Sequence, residues 1–459
     1  MLRAAPRQTA ASARGPAPPR ASRRLRRHAR ALAPQQDANA PPHPRSSFVV
    51  VGAGPIGWAV ARHLLKEGAS KVVVVDGRAA GLGSSHADRA RLLRSTDAEG
   101  DATWSRRNAE SLAAFEGIEA QAGRRFFTRC GALIVGPNEW VARAKGAAER
   151  AGAGGSLAEV SNVAERWPFL APVEGCRAAL FDGNAGYIEP LAMIEAFHAA
   201  ASAGEPSSGA LEVVPGVAAK VAAGEVELES GVRLTADHVV VCGGPLSRSL
   251  LAGSGGEAAQ LLGGKGALRV SRRTVALLEV SEGTAAGMLA AMPTIKYAYN
   301  LPAAGGEGAS GGEQSRVESG SVYILPPVRY PERGGRLFVK LGGGPNDFFK
   351  ADELESREAV DTWLDSEGDA ASAASLERVL RLLMPTVPFL GEAESKACVT
   401  TLAPSGDVEV AHAPGGGLSA VSACQGKGAG PADAIGREVA RALTLRAKGK
   451  TADRGSDRG

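Results

Sequence analysis

The chain opens its first clear pattern at Phe48-Val49-Val50-Val51, an unbroken apolar run, followed by a glycine-rich turn and then by Ile56, Ala59, Val60, His63 and Leu64 at helical spacing. A continuous β-branched run bounded by glycine predicts a fully buried parallel strand, and the three-and-four spacing predicts an amphipathic helix over 55–67. Gly68 stands just past that helix as its terminator, and residues 71–75 repeat the strand pattern. Downstream, 101–121 predicts a helix with Trp104, Leu112 and Phe115 inward, 126–135 a strand pair, and 138–150 a helix capped by Asn138. The turn-rich stretch 180–190 precedes a helix over 191–200, whose His198 reads as packing. Short strands follow over 211–241, 276–280, 321–325 and 336–341, alternating with turns in the manner of an antiparallel sheet. Helices over 352–364 and 374–383, strands over 396–402, 408–411 and 418–423, and a last helix to about 445 complete the pattern.

The first strand-helix-strand unit carries specific chemistry. Gly52, Gly54 and Gly57 stand at G-x-G-x-x-G spacing directly after the strand, with Pro55 and Ile56 opening the helix. Gly52 permits the sharp turn, Gly54 removes a Cβ where a pyrophosphate must approach, and Gly57 lets helix and strand pack closely. The pyrophosphate then meets the positive end of the helix dipole and its unpaired N–H groups. The second strand ends in Asp76, placed to accept both hydroxyls of an adenosine ribose. An acid there disfavours a 2′-phosphate, so the unit predicts FAD or NAD(H) rather than NADP(H).

Three later segments face the same ligand by their position. Ser84, Ser85 and His86 begin a segment that runs into Arg91 and Arg94, which share a face if the segment is helical. The strand over 238–241 closes on Gly243 and Gly244, where backbone meets ligand closely. Gly426, Lys427 and Gly428 lead into Pro431 and the last helix, a second glycine-to-helix junction whose N-terminus suits an anionic ring.

Composition adds boundaries. Residues 1–47 hold ten Arg, no Lys and one acid, Asp37, amid Ala, Pro and Ser; this is the composition of an organellar transit peptide, chloroplast or mitochondrial, and a disordered one. Without that leader the formal charge of +4 becomes about −5, which gives no basis for a nucleic-acid or anionic-membrane surface. No run approaches the roughly 20 apolar residues that cross a bilayer, so a soluble protein is expected. The five cysteines are odd in number and far apart, which suits a reducing interior, and no cluster has metal-ligand spacing, so no metal is expected. Residues 303–320 are rich in Gly, Ser and Glu and read as a disordered insertion, and 446–459 as a disordered tail.

Taken in order, the nucleotide unit, the arginine segment, the Val-Cys-Gly-Gly turn and the C-terminal junction make residues 48–445 resemble the D-amino-acid-oxidase-like FAD-dependent oxidoreductases. Within them the chain is most similar to the monomeric sarcosine oxidases and N-methyl amino acid oxidases. The resemblance implies an α/β fold in which a GR2-type, Rossmann-like FAD domain (about 48–125, 180–250 and 385–445) is interleaved with an α+β substrate domain on an antiparallel sheet (about 126–179 and 265–384). It implies His86 and Arg91 near the flavin and Arg94 facing a substrate carboxylate, although this chain has one extra residue between His86 and Arg91. Lys340, in a Lys-Leu-Gly segment, matches a lysine that lies over the flavin and promotes its reaction with oxygen, and Cys398 matches a cysteine that bonds the flavin covalently. Three departures weaken the substrate assignment: Gly430 stands where a second carboxylate-binding lysine is expected, Gly344 where a histidine is, and Thr400 where a tyrosine is. The implied function is oxidation of a secondary amine or an N-methylated or cyclic amino acid by a monomeric FAD enzyme, with oxygen as acceptor. A dehydrogenase of a 2-hydroxy acid or other donor with a non-oxygen acceptor, and a non-catalytic FAD-binding regulatory protein, are the alternatives.

Overall fold

The computed structural model describes residues 46–77, 84–171, 176, 178–203, 209–263, 268–302 and 317–456. The leader over 1–45 and the insertion over 303–316 lie outside the described residues, as do 457–459. Ser47, placed with the expected leader, belongs to the first strand, Ser47–Val51.

That strand lies at the centre of a six-stranded sheet in the order Glu409–His412, Leu418–Ser422, His238–Val241, Ser47–Val51, Lys71–Asp76 and Ala210–Pro215. All neighbours are parallel except the first pair. Valines occupy the middle of the sheet, with Val49 opposite both Val73 and Val239, because a parallel sheet covered on both faces excludes polar side chains. One face is covered by the helix Pro55–Lys66 and the C-terminal helix Ala432–Ser456, which continues beyond the boundary expected near 445. Gly436 sets how near these helices come: a Cβ there would lie 2.5 Å from both the backbone carbon and the Cβ of Ala59.

The second sheet has nine strands, built around Arg269–Val280, Arg336–Gly343, Val317–Tyr330 and Thr294–Pro302 in antiparallel contact. Its core packs on the helix Ala370–Leu383. Two boundaries differ from expectation. The strand Val317–Tyr330 takes in residues 317–320 of the expected insertion. The strand Leu390–Leu402, which carries Cys398, pairs along Arg269–Val280 and so belongs to this sheet rather than to the nucleotide-binding one.

The expected strand pair over 126–135 is split between sheets. Phe127–Thr128 joins Gly186–Ile188 and Arg91–Leu93 in a small three-stranded sheet, whereas Ala132–Gly136 enters the nine-stranded one. The segment carrying Arg91 is thus a strand and not a helix, so Arg91 and Arg94 share no helical face. The helix Asn138–Arg150 has Pro137, not Asn138, at its cap position and no side-chain cap, whereas the helix Ala102–Ala122 is capped by Asp101 accepting from the Trp104 amide.

The helix contact at Gly436 gives a direct test. Gly436→Val should destabilise the protein by about 1–3 kcal/mol through overpacking, read as a lower urea midpoint with unchanged slope. Gly117→Ala, on the exposed face of Ala102–Ala122 with open space around its Cβ, should be neutral or stabilising by up to about 1 kcal/mol. Equal losses at both positions would show that close helix approach is not what Gly436 provides.

Candidate functional site

A cavity of 1170 Å³ is lined by residues of both large sheets. Its size exceeds the roughly 300–1,000 Å³ of a typical small-molecule pocket and suits a dinucleotide with a substrate beside it. At one end the glycine turn has the form the spacing predicts. Gly52 adopts φ +108°, and a Cβ on it would fall 2.6 Å from the Cys242 carbonyl oxygen; a Cβ on Gly57 would come 1.8 Å from the Gly52 carbonyl oxygen. These two glycines are spent on packing, and Gly57 does not line the cavity. Gly54 differs, because a Cβ there would meet only the His86 ring at 3.6 Å. Its open side, with Pro55 and Ile56, forms the cavity wall. The helix behind it has no side-chain cap and no acid in its first turn, so its N–H groups are left for an anion. Asp76, at the end of its strand, lines the same end. This cradle fits the pyrophosphate and ribose of FAD.

The centre of the site is organised by Asp88, which is 4% exposed. Its Oδ2 accepts from Arg91 Nη1 and from Lys340 Nζ, each at 2.6 Å, and its Oδ1 accepts from the Tyr330 hydroxyl at 2.9 Å. Burial opposes the charge on Asp88, but Lys340 and Arg91 prevail and hold its carboxyl well below the usual range. Lys340 also donates to the Ala90 carbonyl at 2.6 Å, and burial brings its ammonium down to about 8 against the pull of Asp88. Arg91 donates to the Ser85 carbonyl at 2.6 Å, which ties the Ser84–His86 turn to the same carboxylate. Burial, and then the Arg91 charge, depress His86 to about 4, so its imidazole is neutral beside Gly54 at ordinary pH.

Most of the residues assigned from sequence converge on this cavity: Ser84, Ser85, His86, Arg91, Arg94, Gly243, Gly244, Cys398, Gly426, Lys427 and Gly428 all line it. Cys398 is half-buried, its thiol 3.8 Å from the Ser85 carbonyl oxygen. Lys340, like Gly57, does not line it. Its strand reaches the cavity only at its last residue, Gly343, while its own ammonium is turned to Asp88 and covered. The last helix also departs from expectation. Cavity contacts stop at Gly430, and the helix's first turn carries its own carboxylate, Asp433, paired with His63 at 2.8 Å, so that end is not open to a ligand's anionic ring.

Beyond the arginine strand lies a charged wall that the sequence reading largely missed. Arg94 lines it, and its Nη1 is buried without a hydrogen-bond partner. Lys427 reaches Asp97 Oδ1 at 2.7 Å and Glu99 Oε2 at 3.2 Å, and Lys296 lies 3.5 Å from Glu99 Oε1. The turn that presents Lys427 is strained: Ala423 and Gln425 both have positive φ, at about 1–2 kcal/mol each. The Gln425 side-chain amide holds it by donating to the carbonyls of Asp407 and Ala423 at 3.1 and 3.0 Å. The signal that would have found Lys296 is a lone charge at mid-strand between buried Ile295 and Tyr297.

Two measurements check the electrostatics. Asp88→Asn strands a buried ammonium and should cost about 3–5 kcal/mol in urea unfolding, whereas Asp88→Asn with Lys340→Met should recover much of that loss; a double variant as weak as the single one would show that Lys340 is not what Asp88 neutralises. The ordinary His86 value of 6.5 falls to about 4 on folding, so the unfolded chain binds the extra proton between those values and stability rises with pH across that window. His86→Gln should therefore reduce that slope by up to about 1.4 kcal/mol per pH unit, and an unchanged slope would place the imidazole in solvent.

Comparison with known proteins agrees with this geometry. A monomeric sarcosine oxidase from Arthrobacter sp. (strain TE1826) is 28% identical over 159 residues, covering 34% of this chain and 40% of that protein's length. The fold matches L-proline dehydrogenase from P. horikoshii with a TM-score of 0.62 at 15% identity, over 87% of this chain and 94% of that one. It matches glycine oxidase from Bacillus cereus ATCC 14579 with a TM-score of 0.58 at 16% identity, over 87% and 95% of the two chains. With a family pattern that runs through residues 47–442, from the first strand to the last helix, the chain belongs to the FAD dependent oxidoreductase family.

Proposed function

We propose that the protein oxidises a secondary amine or an N-methylated or cyclic amino acid at its CH–NH bond. The observation that carries this reading is Arg94 Nη1, a buried guanidinium nitrogen with no partner, on the wall of a cavity whose other end fits FAD. An unmade hydrogen bond at a buried cationic donor is costly, and a carboxylate satisfies it in the geometry a guanidinium prefers. FAD supplies the acceptor that takes a hydride from the substrate carbon. The chain's residues bind and orient: Arg94 fixes the carboxylate and so holds the α-carbon inside the cavity that Arg91, Tyr323 and Cys398 also line. The printed names of the similar proteins, a sarcosine oxidase, a proline dehydrogenase and a glycine oxidase, support a CH–NH donor.

The acceptor divides into two readings. Likeness to the Lys-Leu-Gly segment supports oxygen with peroxide release. The engagement of Lys340 by Asp88 favours the second, a dehydrogenase with another acceptor, since a cation already paired with a carboxylate stabilises a developing anion less. The arginine-rich leader supports an organellar address, and the sarcosine-oxidase likeness a monomer. Covalent attachment through Cys398 is part of the same reading.

Purified protein mixed anaerobically with sarcosine, proline or pipecolate should lose its flavin absorbance with at least one donor. Arg94→Met should raise the donor concentration for half-maximal bleaching by about 30-fold or more, the equivalent of roughly 2 kcal/mol. Absence of bleaching with every amine donor would sink the reading. Peroxide yield compared with dye reduction separates the two acceptors, and yellow colour kept in an acid precipitate identifies a covalent bond.

A further inference from the structure

The charged wall contains three cations, Arg94, Lys296 and Lys427, against two carboxylates, Asp97 and Glu99. Asp97 is 1% exposed in its side chain and fully engaged, accepting from Lys427 at 2.7 Å and from the Asp101 amide at 3.3 Å. Glu99, at 44%, is the accessible acid, and it is shared between Lys427 and Lys296. One positive charge therefore has no counterpart among the described residues of the wall, and Arg94 Nη1 has no partner. A ligand with one carboxylate closes that balance.

Lys296 is placed to take part in closing it. It sits in the strand Thr294–Pro302, where alternation sends Ile295, Tyr297 and Tyr299 into the core and Lys296 to the cavity face, opposite Tyr323 on the neighbouring strand. Ser321 Oγ accepts from its ammonium at 3.0 Å and Glu99 lies at 3.5 Å, which leaves a third donor for the cavity. Burial disfavours its charge, as do Arg94 and Lys427, and Glu99 supports it. Glu99 is shared with Lys427 at 3.2 Å, so it does not take up the charge of Lys296 alone. The C-terminal position where a second carboxylate-binding lysine is expected holds Gly430, and a Cβ there would already press on the Leu93 side chain at 2.9 Å.

We propose that Lys296 is a specificity-determining residue that holds the substrate carboxylate together with Arg94, positioned by Glu99 and Ser321, so that a strand lysine supplies the cation that the C-terminal turn lacks. This rests on the amino-acid reading of the substrate given above. The clamp selects donors with one carboxylate beside the oxidised C–N bond and discriminates against their amides and against simple amines.

The test uses the flavin-loaded protein and an unreactive probe, cyclopentanecarboxylate, with cyclopentanecarboxamide as the uncharged control, each titrated by the change in flavin absorbance. Lys296→Met should weaken the carboxylate by about tenfold or more and leave the carboxamide unchanged, and Lys296→Arg should restore most of the loss. Flavin content and urea midpoint of each variant show that it has folded. An unchanged carboxylate affinity in folded Lys296→Met, or an equal loss for both probes, overturns the proposal. Bleaching by donors in the unaltered protein together with either result sinks the clamp alone. A protein that binds no carboxylate and is bleached by no amine sinks the amino-acid reading as well.

Discussion

A single buried carboxylate fixes the geometry on which the site depends. Asp88 receives Lys340 from the nine-stranded sheet, Tyr330 from the strand beside it, and Arg91 from the small sheet next to the nucleotide end. Taking these charges out of water is expensive, and only the combined geometry returns that cost, so the arrangement is weak as a source of stability and strong as a constraint on form. Each donor comes from a different strand, and the carboxylate is satisfied only when those strands are docked in one register. The cavity between the sheets is therefore as well defined as the position of Asp88. Through Arg91 and the Ser85 carbonyl, the same constraint reaches the turn that brings His86 to Gly54.

Close backbone approach supplies the second constraint. The first turn leaves no room for a Cβ at Gly52 or Gly57, and the helix it starts is met from outside by the C-terminal helix at Gly436. Small residues at these points let the central strand, its helix and the last helix lie in direct contact, with Ala59 and Val60 fully buried between them. Only Gly54 keeps its missing Cβ for the cavity. That division of labour among the three glycines is why the uncapped helix start faces a ligand and not another side chain.

The nucleotide end was legible in the sequence because its causes are local. Strand, glycine turn, helix and terminal acid occupy fewer than three dozen consecutive residues, and the boundaries observed, Ser47–Val51, Pro55–Lys66 and Lys71–Asp76, lie within a residue of those the pattern predicts. Arg91 and Arg94 were legible as residues but not as geometry, since a three-residue strand is too short to show a period. Lys340 reads as a ligand-facing lysine by its neighbours in sequence. What turns it away is Asp88, 252 positions earlier, a partner that no local pattern can name. The charged wall was the least visible part because it is assembled from residues near 97, 296 and 427, and each looks like an ordinary surface charge in its own segment.

The two halves of the site hold their cations differently, and the difference lies in which donors are already met. Around Asp88 two strong cations share one carboxylate at 2.6 Å, so each already donates to a buried partner where it stands. Along the outer wall, the carboxylates are outnumbered and Arg94 keeps an unmet donor, so the field points into the cavity and is fixed before any ligand arrives. Binding there costs little reorganisation, because Glu99 and Ser321 already hold Lys296, and Asp97 already holds Lys427. The donor left unmet is thus on the wall at Arg94, whereas both cations around Asp88 already donate to a carboxylate.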